Sequence, residues 1–101
     1  MAEKLSDLEI RRALGAVPGW TRKGEALTKT YSFARFADGI RFVDAVAAIA
    51  DRMNHHPDID IRYTQVTFSL SSHDAGGITK RDLDLAEAIE KAAFEKPAER
   101  Q

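Results

Sequence analysis

The stretch Asp51–Leu70, DRMNHHPDIDIRYTQVTFSL, changes its period twice. Its first residues continue a helical spacing that begins upstream. Pro57 then bars the α region to His56 and stops the helix near Asn54 or His55. Beyond the proline the spacing becomes strict alternation, with Ile59, Ile61 and Tyr63 on one face. Val66, Phe68 and Leu70 alternate too, but in the opposite phase. A phase change over so few residues requires a turn or a bulge, so the segment holds two strands or one bent strand. A helix running directly into paired strands makes this an α+β chain.

Upstream, the spacing predicts a helix over about 38–54 with Asp38 as its N-cap. Phe36, Ile40, Val43, Val46, Ala47, Ala50 and Met53 recur at three- and four-residue steps as its buried stripe. Residues 19–33 read as a β-hairpin. Trp20 and Thr21 favour extended backbone, RKGE is a turn, and ALTKTYSF is a strand with Leu27, Lys29 and Tyr31 on one face. A short first helix opens at Ser6, with Glu9 completing a capping box and Leu5 and Ile10 a hydrophobic staple. Leu8, Ala13 and Leu14 add apolar positions, and Gly15 stands where a left-handed cap is expected.

Downstream, SSHDAGG is a loop and a last helix starts at Thr79, with Asp82 as its capping partner. Leu83, Ala86, Ile89 and Ala93 form one stripe, while Leu85, Ala88 and Ala92 widen the apolar surface. A second copy of the chain is the natural cover for that wider face. Residues 95–101, EKPAERQ, read as a frayed tail. The order is α-β-β-α-β-β-α: a four-stranded antiparallel sheet with helices packed on one face, in a single domain over 1–101.

Composition excludes several classes of function. The chain has 101 residues, 44% hydrophobic and 31% charged, with a net charge of −1 from 15 basic and 16 acidic residues. These charges are mixed along the chain, which argues against a nucleic-acid or membrane-surface patch. There is no cysteine, hence no disulfide, thiolate nucleophile or Cys-ligated zinc. The N-terminus lacks a signal-peptide core and no apolar run is long enough to span a bilayer, so the expected location is the cytoplasm.

Chemistry concentrates in the histidines. His55 and His56 sit at the helix stop, and His73 lies in the loop after the last strand. Asp51 precedes His55 by four residues and shares its helix face if the last turn is intact. The helix C-terminus favours a cation there. Imidazole titrates nearest neutrality, where general acids and bases work best. If strand ends and helix ends converge, three imidazoles and the carboxylates of Asp51 and Asp82 line one cleft. Zinc on three histidines is a rival reading. Adjacent histidines flanking a helix stop do not share a face, however, unlike the pair of a zinc helix, so no metal is expected.

These residues resemble a known signature. Asp51, three residues, then His55-His56-Pro57, with Tyr63, His73 and Asp82 following, is similar to the pattern of the pterin-4a-carbinolamine dehydratases. Gly19-Trp20 and VTFSLSSHDAGGIT at 66–79 agree with it, and the likeness runs from about Leu5 to Phe94. Two positions depart: Asp51 stands where the best-known members carry glutamate, and Ile59 where many carry tryptophan. The resemblance implies loss of water from a 4a-hydroxytetrahydropterin to give quinonoid dihydropterin, recycling the tetrahydropterin of an aromatic amino-acid hydroxylase. It implies acid/base work by His55 and His73, with Asp51 orienting His55. His56 would hold the pterin, Tyr63 and Asp82 would join it in binding substrate, and Asp82 would have a positioning role. No cofactor is implied, and the expected assembly is a homodimer or homotetramer. Animal members also act as dimerisation partners of a transcription factor, so the alternative is a non-enzymatic interaction module.

Overall fold

The computed structural model describes residues 3–94; the expected tail at 95–101 lies outside them. The elements are α1 (Asp7–Leu14), β1 (Thr21–Lys23), β2 (Ala26–Ser32), α2 (Phe36–Met53), β3 (Asp58–Arg62), β4 (Gln65–Leu70) and α3 (Lys80–Phe94). A single 3-10 turn at His73–Ala75 precedes α3. The strands form one antiparallel sheet in the order β1-β2-β4-β3. The expected order and class are those observed.

The phase change between Tyr63 and Val66 is a tight hairpin turn. Arg62 pairs with Gln65, leaving Tyr63 and Thr64 as the connection, and Tyr63 takes a positive φ of 54°. Ile59 then stands opposite Phe68 and Ile61 opposite Val66, so both phases point to the same face. That face meets the helices: Leu27, Val66, Phe68 and Leu70 are fully buried. The other face is polar, with the Thr30 and Thr67 hydroxyls hydrogen-bonded across the strands at 2.7 Å. Aromatic rings lock the inner layer, Phe42 meeting Phe68 edge-on at 5.8 Å and Tyr31 at 5.2 Å between centroids.

The helix ends follow the sequence in part. Ser6 and Glu9 form the capping box of α1 with both arms made, at 2.8 and 3.1 Å. Gly15 is not left-handed: its φ of −63° keeps it right-handed. The chain tightens there through Ala16 N–H to Ala13 and Val17 N–H to Leu14.

Asp38 is not the N-cap of α2. The helix starts at Phe36, after Arg35, which makes no side-chain cap. Asp38 sits in the first turn, where hydrogen bonds from Arg35 and then Arg41 hold its carboxyl below the usual range.

The buried stripe of α2 is also rotated from the expected one. Gly39, Phe42, Val46 and Ala50 are buried, whereas Phe36 and Ala47 are exposed. Apolar residues cover more than half of this helix's circumference, so spacing alone does not choose the face. Gly39 decides it: a Cβ there would lie 3.3 Å from both Phe33 and Val66, so its absence lets the helix approach the sheet.

In α3, Leu85 is fully buried rather than part of an uncovered second face, while Phe94 at the helix end is exposed, as are Leu8, Phe36, Ile59, Ile61 and Tyr63 elsewhere.

Alternation places Lys29 on the helix side of β2, opposite Phe68. Its ammonium is satisfied by Glu90 of α3 at 2.5 Å and lies 4.7 Å from the centroid of the Tyr31 ring. Tyr31 Oη donates to the same Glu90 oxygen. Gly19 makes room for this cluster: at its φ of 88° a Cβ would fall 2.7 Å from Lys29 Nζ. Burial, and then the Glu90 carboxylate, push the Tyr31 hydroxyl well above its ordinary pKa. Burial alone would raise Glu90, but the hydrogen bonds from Lys29 and Tyr31 outweigh it and hold the carboxyl below its ordinary 4.5.

A lowered carboxylate contributes stability above its unfolded pKa and loses that contribution as pH falls through the folded value. Glu90→Gln is therefore expected to cost about 1–2 kcal/mol at pH 7, solvent screening keeping the figure modest. In urea unfolding below pH 4.5 the difference from the parent chain should shrink.

Candidate active site

Four element ends meet at one end of the molecule. Asp58, the first residue of β3, pairs with Ser69 near the end of β4. The chain enters β3 directly from α2, and α3 starts at the same end. Asn54 makes the helix exit possible by taking the left-handed conformation, φ 52° and ψ 43°. His55 N–H then folds back to the Ala50 carbonyl at 3.1 Å. Pro57 keeps His56 out of the α region. The two histidines thus lie beyond the helix, on separately directed residues.

His55 is buried and its Nε2 lies 2.6 Å from Asp82 Oδ1. Asp82 is itself fully buried at the first turn of α3. Its Oδ2 accepts from Ser72 Oγ at 2.9 Å and from Thr79 N–H at 2.9 Å. The Ser72 and Thr79 hydroxyls are 2.8 Å apart, and Ser72 also pairs with Gly77 through the backbone. Because an ionised carboxylate only accepts, Nε2 of His55 carries the proton in this pair, leaving Nδ1 as the other nitrogen. The ring is oriented by a fixed anion.

Asp51 does not partner His55. Its carboxylate meets His56 Nε2 at 2.9 Å, in an exposed pair. The expected helical pairing fails because α2 ends at Met53, before His55 can share its face. Asp82, expected to bind substrate in a positioning role, is 0% exposed, with one oxygen against His55 and the other accepting from Ser72 and Thr79.

His73 opens the 3-10 turn, which Gly76 closes in the left-handed region at φ 78°. Asp74 ties the turn to α3 through Arg81 Nη2 at 2.6 Å. His73 lines an open cavity of about 380 Å³ together with Glu25, Asp58, Ser69, Ser71 and the Gly76-Gly77 backbone. Neither His55 nor His56 lines it. Consecutive residues leaving a strand point to opposite sides: Ser72 turns inward to Asp82 while His73 stays outside. The three imidazoles and the two carboxylates of the expected cleft lie in different surroundings. One histidine is held in the interior, one is exposed beside Asp51, and one lines the cavity.

Tyr63 is not brought to this end. It sits at the β3–β4 turn, 76% exposed, with the length of β3, roughly 16 Å of extended chain, between it and Asp58.

The sequence reading missed Ser72, Glu25 and Asp58 and saw Thr79 only as a helix start. Ser72 carried a signal: it continues the buried parity of Val66, Phe68 and Leu70, and a buried hydroxyl needs a partner. Glu25 carried none, since it reaches the cavity from a hairpin distant in sequence. Among the described residues no three His, Asp or Glu side chains are grouped to hold a metal ion, and no helix is long and apolar enough to cross a membrane.

Comparison with known proteins agrees with this fold. A protein of Roseiflexus sp. (strain RS-1), named for pterin-4-alpha-carbinolamine dehydratase, is 50% identical over 91 residues, covering 90% of this chain and 98% of the relative. A crystal structure from Brucella melitensis, described as a transcriptional coactivator/pterin dehydratase, superposes with a TM-score of 0.86 at 29% identity, over 90% of this chain and 99% of that one. A pterin dehydratase-like protein identified as a RuBisCO assembly factor in the alpha-carboxysome matches with a TM-score of 0.60 at 25% identity, over 73% of this chain and 86% of that one. The family Pterin 4 alpha carbinolamine dehydratase matches residues 3–92, and the chain belongs to it.

Proposed function

We propose that this chain is a pterin-4a-carbinolamine dehydratase, a hydro-lyase that removes water from a 4a-hydroxytetrahydropterin to leave quinonoid dihydropterin. The observation that carries the reading is the end of the fold where a buried Asp82–His55 pair stands behind a cavity lined by His73. The substrate bears a hydroxyl on a carbon beside a ring nitrogen. The nitrogen lone pair expels it, a proton joins the leaving hydroxyl to make water, and a ring N–H gives up a proton to restore charge balance. Imidazoles suit both transfers.

His73, on the cavity wall, is the first candidate for the proton-transferring group. His55 is the second, with Asp82 fixing its ring. His56 and Asp51 flank the site from the exposed side and hold the substrate. Glu25 and Asp58 supply acceptors for the N–H edge of a pterin. In this reading the enzyme works in the cytoplasm as a homodimer or homotetramer and returns tetrahydropterin to an aromatic amino-acid hydroxylase.

A second reading, an interaction module without catalysis, draws on the exposed apolar residues Phe36, Ile59 and Ile61. The two separate. Turnover of freshly generated 4a-hydroxytetrahydropterin by the purified chain is expected; its absence would leave only the module.

His73→Ala should lower kcat by about 100-fold or more while fold and assembly persist. Wild-type turnover by that variant would remove His73 from the mechanism. Asp82→Asn should cost about 2–3 kcal/mol in urea unfolding, since it disturbs a buried charged network, and should slow turnover through His55. Asp51→Asn, at an exposed pair, should leave the unfolding midpoint unchanged.

A further inference from the structure

The cavity that His73 lines opens on the polar face of the sheet. Ala26, Ser69 and Ser71 on its wall are one step out of phase with the buried Leu27, Phe68 and Leu70. Three carboxylates near this end of the molecule are already occupied. Asp51 meets His56, Asp74 meets Arg81, and Asp82 accepts from His55, Ser72 and Thr79. Glu25, on the cavity wall, differs. Lys4 Nζ lies 3.7 Å from its Oε2 and Arg22 Nη2 lies 3.6 Å from its Oε1. Both distances are too long for hydrogen bonds. The two cations steer the carboxylate without taking up its lone pairs.

Gly77 makes room for that carboxylate. Its backbone does not call for glycine: of the two glycines in the turn, only Gly76 has a positive φ. What Gly77 supplies is space, since a Cβ there would lie 2.7 Å from Glu25 Oε1 and 2.9 Å from Lys4 Cε. Gly77 is buried, and its N–H and carbonyl both bond to the Ser72 backbone, at 3.3 and 2.9 Å. Lys4 is brought alongside because the next residue, Leu5, donates its N–H to the Ile78 carbonyl at 2.8 Å. Glu25 itself sits in the β1–β2 turn, where its own carbonyl accepts from the Ser71 hydroxyl at 2.7 Å. Segments remote in sequence thus converge to set one carboxylate on the wall that carries His73.

A pterin carries one exocyclic amino group, on C2. That carbon lies opposite C4a in the six-membered ring, so the amino group points away from the leaving hydroxyl. An amino group conjugated to the ring donates hydrogen bonds, and a carboxylate only accepts them. A 2-oxo ring of the same shape would instead set a carbonyl against the carboxylate, acceptor against acceptor. We propose that Glu25 is a specificity-determining residue that accepts from the 2-amino group of the bound ring, and that Gly77 and Lys4 are positioning residues for its carboxylate. The ligand class rests on the dehydratase reading; the choice between 2-amino and 2-oxo rings goes beyond it.

Paired ligands test this. The wild type should bind 7,8-dihydropterin about tenfold more tightly than 7,8-dihydrolumazine, its 2-oxo counterpart. An amide both donates and accepts, so in Glu25→Gln that ratio should fall to about one. The KM for 4a-hydroxytetrahydropterin should rise about tenfold in this variant with kcat retained, because the amino group is remote from the reacting carbon. Gly77→Ala adds a methyl group that meets the ends of two flexible side chains. It should keep the melting temperature and lower the same ratio, and adding it to Glu25→Gln should lower the ratio no further. A wild type that binds the two ligands equally overturns the proposal, as does an unchanged ratio in Glu25→Gln. Equal weakening of both ligands makes Glu25 merely structural and overturns it too. A wild-type ratio in Gly77→Ala overturns the positioning role. Failure of the dehydratase reading looks different: the wild type itself neither turns over the hydroxypterin nor binds the dihydropterin, and both proposals fall.

Discussion

A single buried carboxylate holds the functional end of this molecule together. Asp82 accepts from His55, from the Ser72 hydroxyl and from the Thr79 backbone. These three donors belong to the exit of α2, the end of β4 and the start of α3. A charge with 0% exposure is tolerable only when its lone pairs are met, and here the N-terminus of a helix adds its own favourable field. Removing a donor leaves an uncompensated anion in the interior. The three ends are therefore bound to one another electrostatically as well as by packing, and the histidines inherit their positions from that constraint.

How much of this could be read in advance depended on whether a pattern had one solution. The alternation through Ile59–Leu70 had one, because a strand shows one face to the helices, so the hairpin and the sheet class were legible. The Ser6–Glu9 box was local and equally plain. The face of α2 was not, since Ala-rich spacing fits several rotations and Gly39 chooses between them through contacts with Phe33 and Val66 that are remote in sequence. The Asp51–His55 pairing looked sound as a spacing rule. It failed because Asn54 leaves the helix left-handed one residue before the histidine. Asp82 was recognised as a cap, and capping is what it does toward Thr79. Its second oxygen's partnership with His55 needed the tertiary fold.

The division of the histidines between environments suits a reaction that needs both a donor and an acceptor of protons. An imidazole braced by a buried anion has one nitrogen committed and a fixed direction for the other. An imidazole on an open cavity, beside the acceptors Glu25 and Asp58, is within reach of water and of whatever occupies the space. The turn that carries His73 is stiffened at three points: the Ser72–Gly77 bridge, the Arg81–Asp74 pair, and the Ser71 hydroxyl on the Glu25 carbonyl at 2.7 Å. That stiffness gives a loop residue the precision otherwise found on regular elements.

The same sheet sets the histidine end of the molecule beside an unpaired strand. Four strands place the histidine end at the start of β3, and β3 is the edge. Leu85 lies in the core, so α3 keeps less uncovered apolar surface along its length than its sequence suggested, and exposed apolar side chains remain at its end, Phe94, and on β3 at Ile59 and Ile61. β3 is exposed along its length and pairs on one side only, so the end of the sheet that carries Asp58 and follows His55 and His56 in the chain is also part of its open edge.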